Sequence, residues 1–260
     1  MNRKPRFREN VKPARIHFSG SLVIGNRAVR EVLSYKPKAV AHLYFAKKED
    51  GLEEDMLKIA RDHQIQLHKV SKDELTSLAG TDSHQGIAAA MRGSSQISLD
   101  EFMRKHESKD RTLLVALDSI YDPQNLGAIM RAAECFGAAG VMWSKNRGVD
   151  LTPSATKASA GACELLDVVK VSNLVQAVQE LKEDGFEVVA ADASSDAGSL
   201  TDFIFPPKCI LLLGSEGEGI RPLLLKQADH RVFIPMLGKI ASLNVSQAGA
   251  VMLSWWARGA

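Results

Sequence analysis

The stretch Leu113-Leu-Val-Ala-Leu117, followed by Asp118-Ser-Ile-Tyr-Asp-Pro-Gln-Asn-Leu-Gly-Ala-Ile-Met-Arg131, decides the reading of this chain. Five consecutive apolar residues mark a strand covered on both faces, the usual state of strands in parallel sheets. An Asp-Pro turn then leads into apolar residues at helical spacing from Leu126 to Phe136. Working outward, Val141 to Trp143, Val188 to Ala191, Ile210 to Leu213 and Val232 to Ile234 read as further strands. Leu174 to Glu183 and Val245 to Ala257 read as helices. Alternating strands and helices predict a largely parallel α/β sheet over residues 111–260.

Upstream, residues 19–92 repeat the alternation on a smaller scale. Asn26 to Ser34 and Glu53 to His63 have helical spacing. Val40 to Phe45, Ile65 to Val70 and Gly86 to Met91 read as strands. This predicts a small separate α/β domain. Gly93, Ser94 and Ser95 give residues 93–110 the composition of a linker, which also carries a short helix from Ser98 to His106. Ser98 suits its cap, with Glu101 at the capping-box position.

Residues 1–18 form a basic arm, with Arg3, Lys4, Arg6, Arg8, Lys12 and Arg15 against Glu9, although the whole chain is only +2. Such an arm fits phosphate binding, and it equally fits a solvated terminus. It lacks the apolar core of a secretory leader, and Pro5 and Pro13 interrupt the helix of a transit peptide. No apolar run reaches the ~20 residues of a bilayer span. Cys135, Cys163 and Cys209 are odd in number and widely spaced. They read as reduced core thiols of an intracellular protein, not as a disulfide set or zinc site.

Ligands of open parallel sheets bind beyond the carboxyl ends of the strands, and three unusual loops begin there. The first places Asn125 and Gly127 at a helix start, where free amide donors favour an anionic or polar ligand and Asn125 suits the cap. Arg131 lies six residues after Asn125, about one and two-thirds turns along, so the two do not share a face. The second, Gly214-Ser-Glu-Gly-Glu-Gly219-Ile220, matches neither the dinucleotide G-x-G-x-x-G nor a P-loop. Glu216 and Glu218 would repel a phosphate, so a cationic or neutral ligand fits better. Gly214 and its neighbours would leave room for that ligand. The third loop, Pro235 to Ser246, sets Ser242, Asn244 and Ser246 before a helix, where they suit ligand hydrogen bonds or an ordinary cap. Taken singly, each loop also fits a plain turn or cap.

Taken together and in this order, the loops resemble the SpoU branch of the SPOUT methyltransferases, which methylate ribose 2′-oxygens of tRNA and rRNA. The first motif matches as Asn125, Gly127 and Arg131, the second as Leu213 to Ile220, the third as Ile234 through Ser246. Within that branch the chain is most similar to guanosine-2′-O-methyltransferases of 23S rRNA that carry a small RNA-binding N-terminal domain. The resemblance implies that residues 19–92 bind the RNA substrate and that 111–260 form a trefoil-knotted α/β methyltransferase domain, a topology general rules would not suggest. It implies S-adenosylmethionine as cofactor, RNA as partner with rRNA ahead of tRNA, a cytoplasmic homodimer, and no metal or membrane. By the same resemblance Asn125, Arg131, Glu216, Ser242 and Asn244 are catalytic. Leu213, Gly214, Gly219, Ile234, Met236, Ser242 and Leu243 hold the cofactor.

The resemblance assigns the general base to Arg131, whereas arginine stays protonated in proteins, which favours a cation that grips phosphate or a developing alkoxide. Two other classes stay in view: a non-catalytic RNA-binding protein on the same scaffold, which intact motifs argue against, and a tRNA-specific enzyme, since catalytic motifs do not name the RNA. A dinucleotide oxidoreductase is disfavoured by the glycine order, and a serine hydrolase by the lack of G-x-S-x-G.

Overall fold

The computed structural model describes residues 20–46, 54–93, 95–240 and 242–259. The basic arm lies outside them. The chain divides into two compact units, residues 1–94 and 95–260.

The first unit runs β1 (Leu22–Ile24), α1 (Asn26–Tyr35), β2 (Val40–Phe45), α2 (Glu54–Asp62), β3 (Gln66–Lys69), α3 (Lys72–Ala79) and β4 (Ile87–Met91). Its sheet has the order β1-β4-β2-β3, antiparallel except for the β2–β3 pair. Alternate residues go to opposite faces. Leu43 and Phe45 of β2 pack with Val29, Val32 and Leu33 of α1 and Met56 and Ala60 of α2. Tyr44 faces the other way, clustered with Leu75 and Ala79 of α3. Helix α3 was not among the expected elements, yet Ser71 and Glu74 close a full capping box at its start.

The second unit opens with β5 (Gln96–Ile97), α4 (Leu99–His106), β6 (Thr112–Leu117), α5 (Pro123–Cys135), β7 (Gly140–Ser144), α6 (Pro153–Ala158), α7 (Ala162–Leu165) and β8 (Asp167–Val171). It continues with α8 (Leu174–Glu183), β9 (Glu187–Ala191), β10 (Gly198–Ser199), β11 (Lys208–Leu213), α9 (Pro222–Leu225), β12 (His230–Phe233) and α10 (Val245–Ala257). Its eight strands have the order β10-β12-β9-β11-β6-β7-β8-β5, and every pair is parallel.

Strand β6 is buried on both faces, as its apolar run predicts. Leu113, Val115 and Leu117 share a core with α5 and with Met252, Leu253 and Trp256 of α10. Leu114 and Ala116 share another with Phe102 of α4 and Leu174, Val178 and Leu181 of α8. Gly127 lets α6 approach α5, because a Cβ there would lie 2.4 Å from the Ala155 carbonyl oxygen and 2.5 Å from the Ala158 Cβ.

Two expectations are corrected. The segment read as a linker, 93–110, carries β5 and α4, which belong to the larger unit. β5 pairs with β8, and His106 Nε2 lies 2.8 Å from Asp167 Oδ2. Its Gly-Ser composition concealed an edge strand too short to show a period. Of the three thiols, Cys163 and Cys209 are buried, but Cys135 is exposed at the end of α5. Burial pushes the Cys163 thiol up to about 11 and Cys209 up to about 12, which makes both unreactive.

On the Tyr44 face of the first unit, His42 Nδ1 and His68 Nε2 are 3.0 Å apart, and the His68 ring stacks on Tyr44 at 4.9 Å. Burial holds both imidazoles below their ordinary value of 6.5, helped at His42 by Arg92 and at His68 by His42. The folded unit therefore binds fewer protons than the unfolded chain below that pH. Stability should be full above about pH 6.5 and decline as acid protonates the pair in the folded state. Hydrogen exchange of the β2 and β3 amides in the full chain should accelerate as pH falls below 6.5, after correction for intrinsic rates. His68→Gln should flatten that dependence; an unchanged profile would remove the pair as its cause.

Candidate active site

The sheet order fixes where a ligand can bind. After β6 the chain crosses through α5 to β7 on one side, and after the adjacent β11 it crosses through α9 to β12 on the other. The crevice beyond the carboxyl ends of β6 and β11 is therefore a topological switch point, the standard ligand position of open α/β sheets. All three loops selected from the sequence converge there.

The first loop enters α5 through Asp122, whose carboxylate accepts from the Gln124 N–H at 2.9 Å, with Pro123 in the first helical turn. Asp122 thus takes the capping role expected of Asn125. Asn125 lies within the first turn, and its Nδ2 donates to Glu216 Oε1 at 3.1 Å. Asn244, from the third loop, donates through Nδ2 to Asn125 Oδ1 at 3.0 Å and also to Glu216 Oε1.

Asn244 takes the capping role read in the third loop, with its amide nitrogen turned to the other two loops. Its Oδ1 caps α10 by accepting from the Ser246 N–H at 2.8 Å and the Ser246 hydroxyl at 2.6 Å, while its Nδ2 faces the crevice. Two carboxamides and a carboxylate from three loops thus form one hydrogen-bonded cluster. Glu216 Oε2 is left without a partner among the described residues, able to accept from a hydroxyl or nitrogen of a ligand.

The remaining site residues are placed differently. Arg131 is exposed on α5 and has no hydrogen bond or ion pair among the described residues. It stands about a third of a turn round the helix from Asn125, as the six-residue spacing predicts. Ser242 is exposed, two residues before Asn244, Ile234 is half-buried, and Met236 and Leu243 are partly exposed. The Leu213 carbonyl accepts from the Asp118 N–H at 2.9 Å, and both backbone groups of Gly219 pair with Ser215. Leu213 is buried in the core, and Gly219, with both backbone groups paired, offers a ligand shape more than free donors.

Gly214 is required for a different reason from the one read in the sequence. A Cβ there would lie 2.2 Å from the Gly219 carbonyl carbon and 2.4 Å from the Ile220 nitrogen. Its missing side chain lets the loop close on itself, where a ligand had been expected to fill the space. Gly217 and Gly219 supply left-handed turns, at φ 89° and 68°.

Sequence reasoning missed one pair. Asp118, fully buried just beyond β6, accepts from the Arg221 backbone N–H at 2.9 Å and from its Nε at 2.7 Å. The only signal was a lone acid ending a buried apolar run. Among the described residues no group of His, Cys, Asp and Glu is arranged to hold a metal ion. No described helix is long and apolar enough to cross a membrane.

Comparison with known proteins agrees with this geometry. Residues 112–254 match the SpoU rRNA Methylase family, and residues 22–96 match a domain described as RNA 2′-O ribose methyltransferase substrate binding. The chain is 34% identical over 231 residues to the 23S rRNA (guanosine-2′-O-)-methyltransferase RlmB of Acinetobacter baylyi, covering 88% of this chain and 93% of that protein. It is 36% identical to the enzyme of the same name from Ralstonia nicotianae, covering 89% and 93%. A crystal structure of an RNA 2′-O ribose methyltransferase superposes with a TM-score of 0.68 at 26% identity, covering 91% of this chain and 87% of that one. A parallel sheet with this crevice, preceded by a substrate-binding unit and matched along both, places the chain in the SpoU family of RNA 2′-O-ribose methyltransferases.

Proposed function

We propose that this protein transfers the methyl group of S-adenosylmethionine to the ribose 2′-hydroxyl of a guanosine in 23S rRNA. The observation that carries the reading is the meeting of Asn125, Glu216 and Asn244 at the switch point. The two RlmB relatives, which span nearly the whole chain, support the rRNA guanosine as substrate.

The residues present fit the cofactor. Glu216 and Glu218 make the second loop acidic, which suits a sulfonium cation and not a phosphate. Met236 and Leu243, each 37% exposed, offer apolar surface for a flat ring. Leu213, Gly214, Gly219, Ile234, Met236, Ser242 and Leu243 would hold it. When bound, S-adenosylmethionine supplies an electrophilic methyl group that needs no metal for transfer.

The protein's own task is then to place the 2′-oxygen in line and assist loss of its proton. Asn125 and Asn244 lock each other and Glu216 in orientation, which leaves Oε2 of Glu216 available to a ligand. Ser242 adds a hydroxyl at the rim. Arg131, unpaired among the described residues, acts as a cation for the target phosphate and the developing alkoxide, the usual role of a guanidinium in phosphate recognition. Residues 19–92 would bind folded RNA, which proteins read largely by shape and exposed bases.

The same reading includes a cytoplasmic homodimer and a knotted carboxyl-terminal segment. Asn244, beyond β12, comes back to the β6–β11 crevice, which supports that reading. Leu237 and Ile240, exposed in that segment, give a partner surface something apolar to cover.

Incubation with labelled S-adenosylmethionine and separate rRNA and tRNA pools should label 23S rRNA and release 2′-O-methylguanosine on digestion. Label confined to tRNA would overturn the RNA assignment, and label on a base would overturn the chemistry. Asn125→Ala and Arg131→Ala should each lower turnover by about 10² or more while cofactor affinity changes little. Near-normal turnover in Arg131→Ala would remove that residue from the site. Gly214→Ala should destabilise the unit by about 1–3 kcal/mol by forcing backbone apart, measured by denaturant unfolding. Unchanged stability would mean that the loop does not close as described.

A further inference from the structure

Asp118 is in contact with both stems of the second loop. Its N–H donates to the Leu213 carbonyl at 2.9 Å, where the loop leaves β11. Its carboxylate meets Arg221, where the loop ends. Oδ2 accepts from the Arg221 backbone N–H at 2.9 Å, and Oδ1 accepts from the guanidinium at 2.7 Å. The Ser119 hydroxyl also donates to Oδ1, at 3.2 Å. Between the stems the loop is pinned internally by the Ser215–Gly219 pair. Its one acidic side chain in the site cluster is Glu216.

We propose that Asp118 is a positioning residue for methyl transfer: through Arg221 it fixes the Gly214–Ile220 loop so that Glu216 stays within hydrogen-bond reach of Asn125 and Asn244. The backbone bond fixes the loop's exit, and the guanidinium holds the Asp118 carboxylate in place to make that bond, so loss of the side-chain pair loosens the exit. Burying a carboxylate with its partner is weak as a source of stability, because desolvation offsets the attraction. Geometry is what this pair supplies. Ser119 points the same way, since it is a buried non-glycine residue held at φ 60° directly after Asp118. Such strain persists only where the surroundings over-determine the backbone.

The inference rests on the proposed role of Glu216, and the test separates the two. Single-turnover methyl transfer is measured at saturating RNA and cofactor for Arg221→Gln, Arg221→Lys, Glu216→Gln and the Arg221→Gln/Glu216→Gln double variant, each shown to be folded. Arg221→Gln and Glu216→Gln should each slow transfer at least about tenfold. The double variant should be no slower than Glu216→Gln within about twofold, because residues that act through one another are not additive. A purely structural pair would give additive losses, which would overturn the proposal, as would a normal rate in Arg221→Gln. If Arg221→Gln does not fold, Arg221→Lys, which keeps a charge opposite Asp118, takes its place in the cycle. Loss of fold in both would show that the pair holds the fold and not the loop, and would overturn it too. A normal rate in Glu216→Gln would instead sink the underlying reading of the site.

Discussion

The in-register parallel pairing of β6 with β11 runs from Thr112 opposite Lys208 to Leu117 opposite Leu213, and the site geometry follows from it. Because both strands end at one level, the loops that leave them begin side by side. Because their connections depart in opposite directions, nothing from the sheet closes the space between them. A polar cluster can therefore be assembled from residues as distant in sequence as Asn125 and Glu216. Either strand displaced by one residue would turn its alternating core residues to the wrong face, so burial on both faces of β6 enforces the level.

Polar groups in this region serve structure and site together. Asn244 uses its oxygen to cap α10 and its nitrogen to bind Asn125 and Glu216, so the start of the last helix and the cluster cannot move independently. Asp118 uses its backbone at one loop stem and its carboxylate at the other. Gly127 and Gly214 act by absence, the first letting α6 onto α5 and the second letting the loop fold onto itself. The loops are thus defined by close contacts within the unit, which hold their donors and acceptors in fixed places.

Much of this was legible in the sequence, for reasons particular to each element. The apolar runs of β2, β6 and β11 and the periodic α8 and α10 have lengths and patterns that leave little choice. Strand β8 was missed because Asp167 and Lys170 interrupt a run of only five residues, and β1 because three residues carry no period. Helix α3 left a readable trace in Ser71 and Glu74 that its weak apolar pattern concealed. The residue types of the site were legible as motifs, but its bonds were not. Asn125 to Asn244 and Asp118 to Arg221 join residues 119 and 103 positions apart, and only the order of strands brings them together.

The central claim is that the three carboxyl-end loops form one cofactor and substrate site. A crystal structure of the full chain with S-adenosylhomocysteine, the product of transfer, tests it most directly. The account predicts the ligand in the crevice beyond β6 and β11, against Gly214, Ile234 and Leu243, with the Asn125, Glu216 and Asn244 contacts retained beside it. A ligand bound elsewhere on the chain, or one that enters only by breaking that cluster apart, would contradict it.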